Sequence, residues 1–386
     1  MGRKNASLTP FKPGEERMLV LPAHWGAGVR KVPAALPGTA CEVELPSRLH
    51  ASVIDMNRFG PGEPGGGGIG FGVGLYCRSK ITLTEAGHVT ATGNRPTVAS
   101  HLGALFCKIT GHRGGVEIMT SDHGRRHLGL GSSIATVTAV AVALNEAFGR
   151  PLTLRDLRKL VAFNYCEEAP GAPEMLVKGF ETNIGAMVGI HGGMVVGSDR
   201  CELIYRVALP EEMKALLVIP EFVPGSSSGD AEASALLGKA RAMDRKDKFK
   251  KAYKILLELL PAMVEGDYEA VGDAIYDLAF LGSKKAECML HGDKGAQVFE
   301  TMEKLRGQGA EIVSMSSVGP AVFALSSKPK VWKSWKGWVD GGALVVPVDN
   351  TGIKVRLDGQ PIPYGLEPWW VKPEAGAKRL LRGERG

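Results

Sequence analysis

No stretch of the 386 residues approaches the roughly 18 consecutive apolar positions that a membrane helix requires. The N-terminus also lacks the apolar core of a signal peptide. A cytoplasmic protein with no membrane partner is therefore expected. The six cysteines, Cys41, Cys77, Cys107, Cys166, Cys201 and Cys288, are too widely spaced for a paired metal signature or a compact disulfide framework. Reduced thiols are expected. There is no basic stripe carrying a nucleic-acid motif, so no nucleic-acid partner is expected, while a net charge of only +6 suits anionic small molecules. No internal repeat shows at the usual periods.

What is present is an ordinary globular balance of 44% apolar and 23% charged residues, long enough for two subdomains, with 51 glycines that forecast tight turns and backbone contacts to ligand. Residues 1–40, rich in Pro, Gly and Lys, read as an extended arm with a short strand at Met18–Leu21; a lid, a dimer strap and a disordered segment all fit. From Cys41 the run Cys-Glu-Val-Glu-Leu alternates as a strand does, and Gly70–Tyr76 alternates again beyond a glycine-rich turn. Apolar periodicity predicts helices at 95–111, 132–148, 153–168, 181–189, 230–262 and 267–281, the third capped by Thr153. Glu202–Phe222 is strand-rich and places a domain boundary near 200–210. An α+β chain is expected, with an arm over 1–40, domains over 41–205 and 206–350, and a C-terminal extension over 351–386 that ends in a basic, solvated tail.

Several motifs have ordinary explanations. Gly65–Gly70 satisfies G-x-G-x-x-G, but a strand follows where a dinucleotide site needs a helix; a ligand-contacting loop and a flexible hairpin connection remain. Gly225-Ser226-Ser227-Ser228-Gly229 matches a nucleophile elbow, yet three serines between glycines describe a loop first. Trp332, Trp335 and Trp338 read as a packed helical face, and the basic run Lys239–Lys254 as a solvated one. His50, His127 and His191 carry no role until a motif frames them.

The junction His127-Leu128-Gly129-Leu130-Gly131-Ser132-Ser133-Ile134-Ala135 is more informative. Its glycines precede an apolar helical stripe of Ile134, Val137, Ala141, Leu144 and Phe148. The first N–H groups of such a helix have no internal partner, and glycine lets the backbone approach an oxyanion closely, so the junction predicts a phosphate site; an ordinary tight turn is the alternative.

Three further segments, with this one, resemble the GHMP kinase superfamily over about residues 41–350. Pro46-Ser47-Arg48-Leu49-His50-Ala51-Ser52-Val53-Ile54-Asp55 resembles its first motif, Gly185–Gly193 its catalytic segment, and Ser314-Met315-Ser316-Ser317-Val318-Gly319-Pro320-Ala321 its last. The kinases carry an aspartate seven residues before the paired glycines; here that position is Gly185, which can act neither as base nor as counter-charge. On that point the chain resembles the β-ribofuranosylaminobenzene 5′-phosphate synthases and the related C-nucleoside synthases of formycin and pyrazofurin type.

The resemblance implies a two-domain α+β fold, with a ribosomal-S5-like N-terminal domain and a ferredoxin-like C-terminal one, and a homodimer. It implies a reaction in which 5-phosphoribosyl 1-diphosphate and an aromatic acid form a C–C glycosidic bond, losing diphosphate and carbon dioxide. The 40-residue arm and the Gly-Ser-Ser-Ile-Ala loop incline the expectation toward a pyrazole-type acid, with the methanopterin-pathway benzoate as an alternative and an ATP-dependent kinase or a non-catalytic binder as others. Asp55, His50 and Arg48 are the expected catalytic residues. His127, Gly129, Leu130, Gly131, Ser132, Ser133, Gly67, Gly68, Asn57, Ser316 and Ser317 are expected to bind substrate. Mg²⁺ is the expected cofactor, with Ser132 a candidate ligand.

Overall fold

The protein is described here from a computed structural model covering residues 9–33, 35–58, 60–85, 87–125, 128–220 and 229–364, with side chains left aside for Arg58 and 229–236. Strand β1 (Ala40–Ser52) buries Cys41, Val43 and Leu45 while Glu42 and Glu44 face outward, as a period of two demands. In chain order follow β2 (Gly68–Thr84), β3 (Val89–Gly93), α1 (Pro96–Thr110), β4 (Gly115–Ser121), α2 (Ser132–Ala147), α3 (Leu154–Phe163), β5 (Cys166–Ala169), β6 (Ala172–Lys178), α4 (Ile184–His191), β7 (Met194–Gly197) and β8 (Leu203–Val207). Then come β9 (Lys214–Val218), α5 (Gly229–Tyr253), α6 (Leu260–Glu265), α7 (Tyr268–Leu278), α8 (Gly282–Met289), α9 (Gly295–Gly307), β10 (Ile312–Met315) and β11 (Val322–Ser326). The chain closes with α10 (Pro329–Ser334), α11 (Lys336–Asp340), β12 (Leu344–Pro347), β13 (Lys354–Leu357) and β14 (Gln360–Ile362).

Two sheets organise these elements. The first has the order β14-β13-β1-β2-β4-β3, with β7 also on β2 and β8 on β7; only β3 and β4 run parallel. The second is antiparallel, β10-β11-β9-β12. The sheets change hands between Val207 and Lys214, and β13 and β14 then return to the first sheet along β1. Helix α2 is apolar around nearly its whole circumference because it lies between the first sheet, α1, α3 and α4, and Val137, Val140, Ala141 and Leu144 fill that core.

Helix prediction held for α1, α2, α4 and α7. Thr153 caps α3 by accepting the Asp156 N–H at 3.1 Å, but the helix stops at Phe163 rather than 168, and Cys166–Ala169 turns into a hairpin with β6. The strand expected at Met18–Leu21 does not form: 3₁₀ turns at Glu16–Met18 and Pro22–Trp25 flank it, and Val20 N–H donates to Asn164 Oδ1 rather than to a neighbouring strand. The described part of the arm is packed down. Phe11 is buried and bridges to Leu176, Leu19 enters the main core, and Trp25 stacks on Phe163.

The long predicted helix over 230–262 is α5 and α6 joined by a π turn, Lys254–Leu259. Pro261 explains the turn, since it has no N–H to give and its ring would crowd the carbonyl one α-turn earlier. Trp335 is buried in the core of the second sheet, with Trp332 and Trp338 packed at its edge, so the tryptophans are structural as expected; Trp332 is on α10, Trp338 on α11, and Trp335 joins the two short helices. The nucleophile-elbow match at 225–229 falls almost wholly outside the described residues.

Candidate functional site

The Gly129–Gly131 turn is held in a conformation only glycine tolerates well. Gly129 has φ 79° and Gly131 φ 72°, and a Cβ on Gly129 would stand 2.1 Å from the Ser316 carbonyl oxygen. Gly131 caps α2 with its carbonyl, which accepts the Ala135 N–H at 3.0 Å. The N–H groups of Ser132, Ser133 and Ile134 therefore open onto the cleft in front of the helix with no helical partner.

Arg48 is brought against this turn by β1. A Cβ on Gly131 would lie 2.9 Å from Arg48 Cγ and 3.4 Å from Cζ, so the missing side chain makes room for the guanidinium. Arg48 Nη1 donates to the Gly129 carbonyl at 2.9 Å, and its buried Nε has no hydrogen-bond partner. Burial lowers the pKa of the group from its ordinary value. A buried donor left open beside free helix N–H groups is a strong attractor for an oxyanion.

Ser316 staples the site. Its hydroxyl donates to the Gly129 carbonyl at 2.7 Å and accepts the His50 N–H at 3.0 Å, while Ser317 N–H donates to the His50 carbonyl at 2.8 Å. Lys284, fully buried and paired with Glu287 at 3.0 Å, donates to the Ser317 carbonyl at 2.6 Å. The first-sheet and second-sheet motifs thus meet at one turn.

The cleft itself is lined by Arg48, Arg125, Gly129–Ile134, Tyr165, Glu167, Lys178, Glu181 and Ser317–Gly319. Of the residues singled out in the sequence, Arg48, Gly129, Leu130, Gly131, Ser132, Ser133 and Ser317 form its walls. His127 lies outside the described residues.

The others stand behind the walls. The His50 ring is buried against Gly68, where a Cβ would come within 2.3 Å of Nε2, and burial, reinforced by Arg48 and Lys284, holds its pKa well below the usual value, so it is neutral. Asp55 accepts from Asn57 N–H at 2.8 Å and from Asn57 Nδ2 at 2.5 Å, a turn cap in which both residues engage each other rather than the cleft. Gly67 and Gly68 are needed for close packing, since a Cβ on Gly67 would lie 2.3 Å from the Gly197 carbonyl oxygen. Ser316 acts on the turn from behind. His191 pairs with Arg158 at 2.7 Å, and burial takes its pKa down to about 3, which marks it as structural.

Glu181, which sequence reasoning passed over, is a buried carboxylate of the cleft. It is buried, and desolvation pushes its pKa up to about 7 despite the opposing pull of Arg48; its Oε1 accepts the Asn183 N–H at 2.7 Å. Tyr165 and Glu167 were hidden inside the over-long helix prediction; Tyr165 OH donates to Glu167 Oε1 at 2.8 Å. A glutamate just ahead of a helix looks like an N-terminal cap in sequence, and only the fold brings it near Arg48.

At Gly185 there is no room for the carboxylate that the kinases carry. A Cβ would stand 2.3 Å from Ile134 Cγ2, so the first turn of α2 occupies that space. Among the described residues no group of three or more His, Cys, Asp and Glu could hold a metal ion on its own, and no helix is long and apolar enough to cross a membrane.

The fold is the two-domain α+β fold of the GHMP kinases, and residues 97–173 match the GHMP kinases N terminal domain. A mevalonate diphosphate decarboxylase from Staphylococcus aureus superposes with a TM-score of 0.61 at 14% identity, covering 82% of this chain and 98% of that one. A homoserine kinase from Cytophaga hutchinsonii superposes with a TM-score of 0.55 at 17% identity, covering 85% and 100%. In sequence, the chain is similar to the β-ribofuranosylphenol 5′-phosphate synthase of Archaeoglobus fulgidus, 27% identical over 302 residues that make up 74% of this chain and 87% of that protein. The synthase of the same name from Methanothermobacter thermautotrophicus is 26% identical over 317 residues, 74% of this chain and 88% of that protein.

Proposed function

We propose that this protein is a decarboxylating phosphoribosyltransferase that joins 5-phosphoribosyl 1-diphosphate to a benzoate bearing a para electron donor, a hydroxyl or an amine. The observation that carries the proposal is the open Arg48 Nε beside the unpartnered N–H groups of Ser132–Ile134, a site for an anion, in a chain whose equivalent of the kinase base is Gly185. The name of the archaeal relatives, a synthase of a ribofuranosylphenol phosphate, favours a benzene-ring acceptor over the pyrazole acid to which the arm and the Gly-Ser-Ser-Ile-Ala loop inclined the sequence reading.

The diphosphate sits on the α2 N-terminus, where Arg48 and the free N–H groups stabilise the charge that grows as the anomeric C–O bond breaks and its electron pair leaves with diphosphate. The ring carbon that bears the carboxylate supplies the electron pair for the new C–C bond. The bond to the carboxylate then breaks, its pair restores the aromatic ring, and carbon dioxide departs. No redox partner is required. Ionised Glu181, in the same cleft, stabilises the cationic sugar ring, and the neutral His50 and the Asp55 turn hold β1 and its following loop in place behind Arg48.

Mg²⁺ fits this donor set. The hydroxyl of Ser132 and the carboxylates of Glu181 and Glu167 are hard oxygens, and with no closed protein cage the ion would be held largely by diphosphate oxygens, as Mg²⁺ commonly is. It would supply charge neutralisation on the leaving group.

Incubation with Mg²⁺, 5-phosphoribosyl 1-diphosphate and 4-hydroxybenzoate or 4-aminobenzoate should release diphosphate and carbon dioxide in equal amounts. Specific conversion of ATP to ADP with an alcohol acceptor, or silence with every aromatic acid tried, would overturn the proposal.

A further inference from the structure

The long helix formed by α5, the π turn and α6 is apolar on two opposite faces. Its inner face packs into the molecule through Ile255, Leu259, Ala262 and Met263, all buried. Its outer face presents Phe249, Tyr253, Leu256, Leu257 and Val264 to solvent, with exposures of 77%, 57%, 63%, 57% and 68%. Isolated exposed leucines need no explanation, but five large apolar side chains on one helical face over some four turns do.

At an α-helical pitch of about 100° per residue the inner set and the outer set each keep within an arc of roughly 100° around the axis. The wider π turn over Lys254–Leu259 rotates the two arcs toward opposite sides of the helix. The outer stripe is thus as regular as the core stripe behind it.

Charge is distributed unevenly along the stripe. Exposed Lys246, Lys248 and Lys250 flank its N-terminal end, and exposed Glu265 and Asp267 its C-terminal end. Such a surface complements itself when turned end for end. Two copies related by a two-fold axis near Leu256 and Leu257 would set Phe249 of one against Val264 of the other and Tyr253 against Leu260, and would lay the lysines at one end over the partner copy's acids. An isologous contact requires this kind of self-complementarity, and antiparallel helices at a two-fold axis meet it with one stripe.

We infer that the outer face of α5–α6 is the contact between two copies of this chain, paired antiparallel through Phe249, Tyr253, Leu256, Leu257 and Val264. The basic end discourages parallel pairing, in which lysine would meet lysine. The surface is separate from the cleft, so the contact stands or falls independently of the reaction proposed above.

Sedimentation velocity of the full chain tests it. The wild-type protein should sediment at twice the 41.0 kDa chain mass, and Leu256→Asp with Val264→Asp should give a monomer with an unchanged circular dichroism spectrum. Because two aspartates can disturb folding as well as pairing, a second set uses exposed charges only. Glu265→Lys should weaken dimerisation about tenfold or more, Lys248→Glu likewise, and the double variant should recover most of the wild-type affinity. A monomeric wild-type protein, a dimer indifferent to both sets of changes, or a monomer that uses the stripe to bind anionic phosphatidylserine vesicles would each overturn the inference.

Discussion

Replacing Glu181 by glutamine should make the protein more stable and less active, and the gain in stability should depend on pH. Burial raises the pKa of this carboxyl from about 4.5 to about 7. Between those values the folded protein holds a proton that the unfolded chain has released, so stability is fully present below about pH 4.5 and declines as pH rises through about 7. At about 1.36 kcal/mol for each tenfold change, ionising Glu181 in the folded state costs on the order of 3 kcal/mol at pH 8, a figure that already includes the attraction of Arg48. Glutamine has the same shape, keeps an oxygen for the Asn183 N–H and has no proton to lose. Urea unfolding at about pH 5 should therefore give nearly equal stabilities, and at about pH 8 should favour Glu181→Gln by on the order of 3 kcal/mol with an unchanged m-value. In the same pH range the wild-type kcat/KM should rise as Glu181 ionises, while the variant stays flat and roughly 10²-fold lower. A stability difference that does not change between these pH values, or a variant less stable at pH 8, would refute the assignment of Glu181 as a buried carboxylate that ionises at a cost.

Three other outcomes follow from the geometry. Gly129→Ala forces a Cβ to within 2.1 Å of the Ser316 carbonyl at φ 79°; beyond the about 1–2 kcal/mol for a left-handed residue, the turn must move and release Arg48 and Ser316, so KM for 5-phosphoribosyl 1-diphosphate should rise at least about tenfold in steady-state assays. Arg48→Lys keeps the charge but loses the fork that holds the Gly129 carbonyl while leaving Nε for the anion, so kcat/KM should fall by about 10–10²-fold with little change in melting temperature. Lys251→Met leaves Asp244, paired with Lys251 at 2.6 Å and equally buried, without its cation, and should cost about 3–5 kcal/mol in denaturant unfolding, whereas the double change with Asp244→Leu should cost less than the sum of the two single changes.

The glycine turn ahead of α2 was legible because its signal is local: glycines, serines and a periodic apolar helix are adjacent in the chain. Helices α1, α2, α4 and α7 were legible for the same reason. Helix α3 was read too long because Glu167 and Glu168, in a four-residue strand with no alternation, look no different from helical surface. Helices α8 and α9 went unread because Gly282, Gly292 and Gly295 punctuate them like loops, though Gly282 and Gly295 are buried and start these helices. At Met18–Leu21 the residues suit a strand, but side chains satisfy the backbone: Asn164 takes the Val20 N–H and donates to the Val20 carbonyl, and Lys178 donates to the Met18 carbonyl. Glu181 was out of reach of sequence reasoning for a further reason. Its character comes from desolvation and from Arg48, both of which exist only once β1, α2 and α4 are assembled.

The tight contact at Gly185 also bears on how this chain could change over time. In the kinases of this fold the equivalent position carries an aspartate; here Ile134 fills the space, and a new side-chain carbon would stand 2.3 Å from it. A single substitution introducing aspartate would bury a carboxylate against a branched aliphatic group and displace the first turn of α2. Accommodating an acid at this position would take at least two coordinated changes, and the intermediate sequence would be impaired in folding. Packing behind the site therefore works as a ratchet, and it makes the glycine at 185 hard to exchange for an acid one mutation at a time.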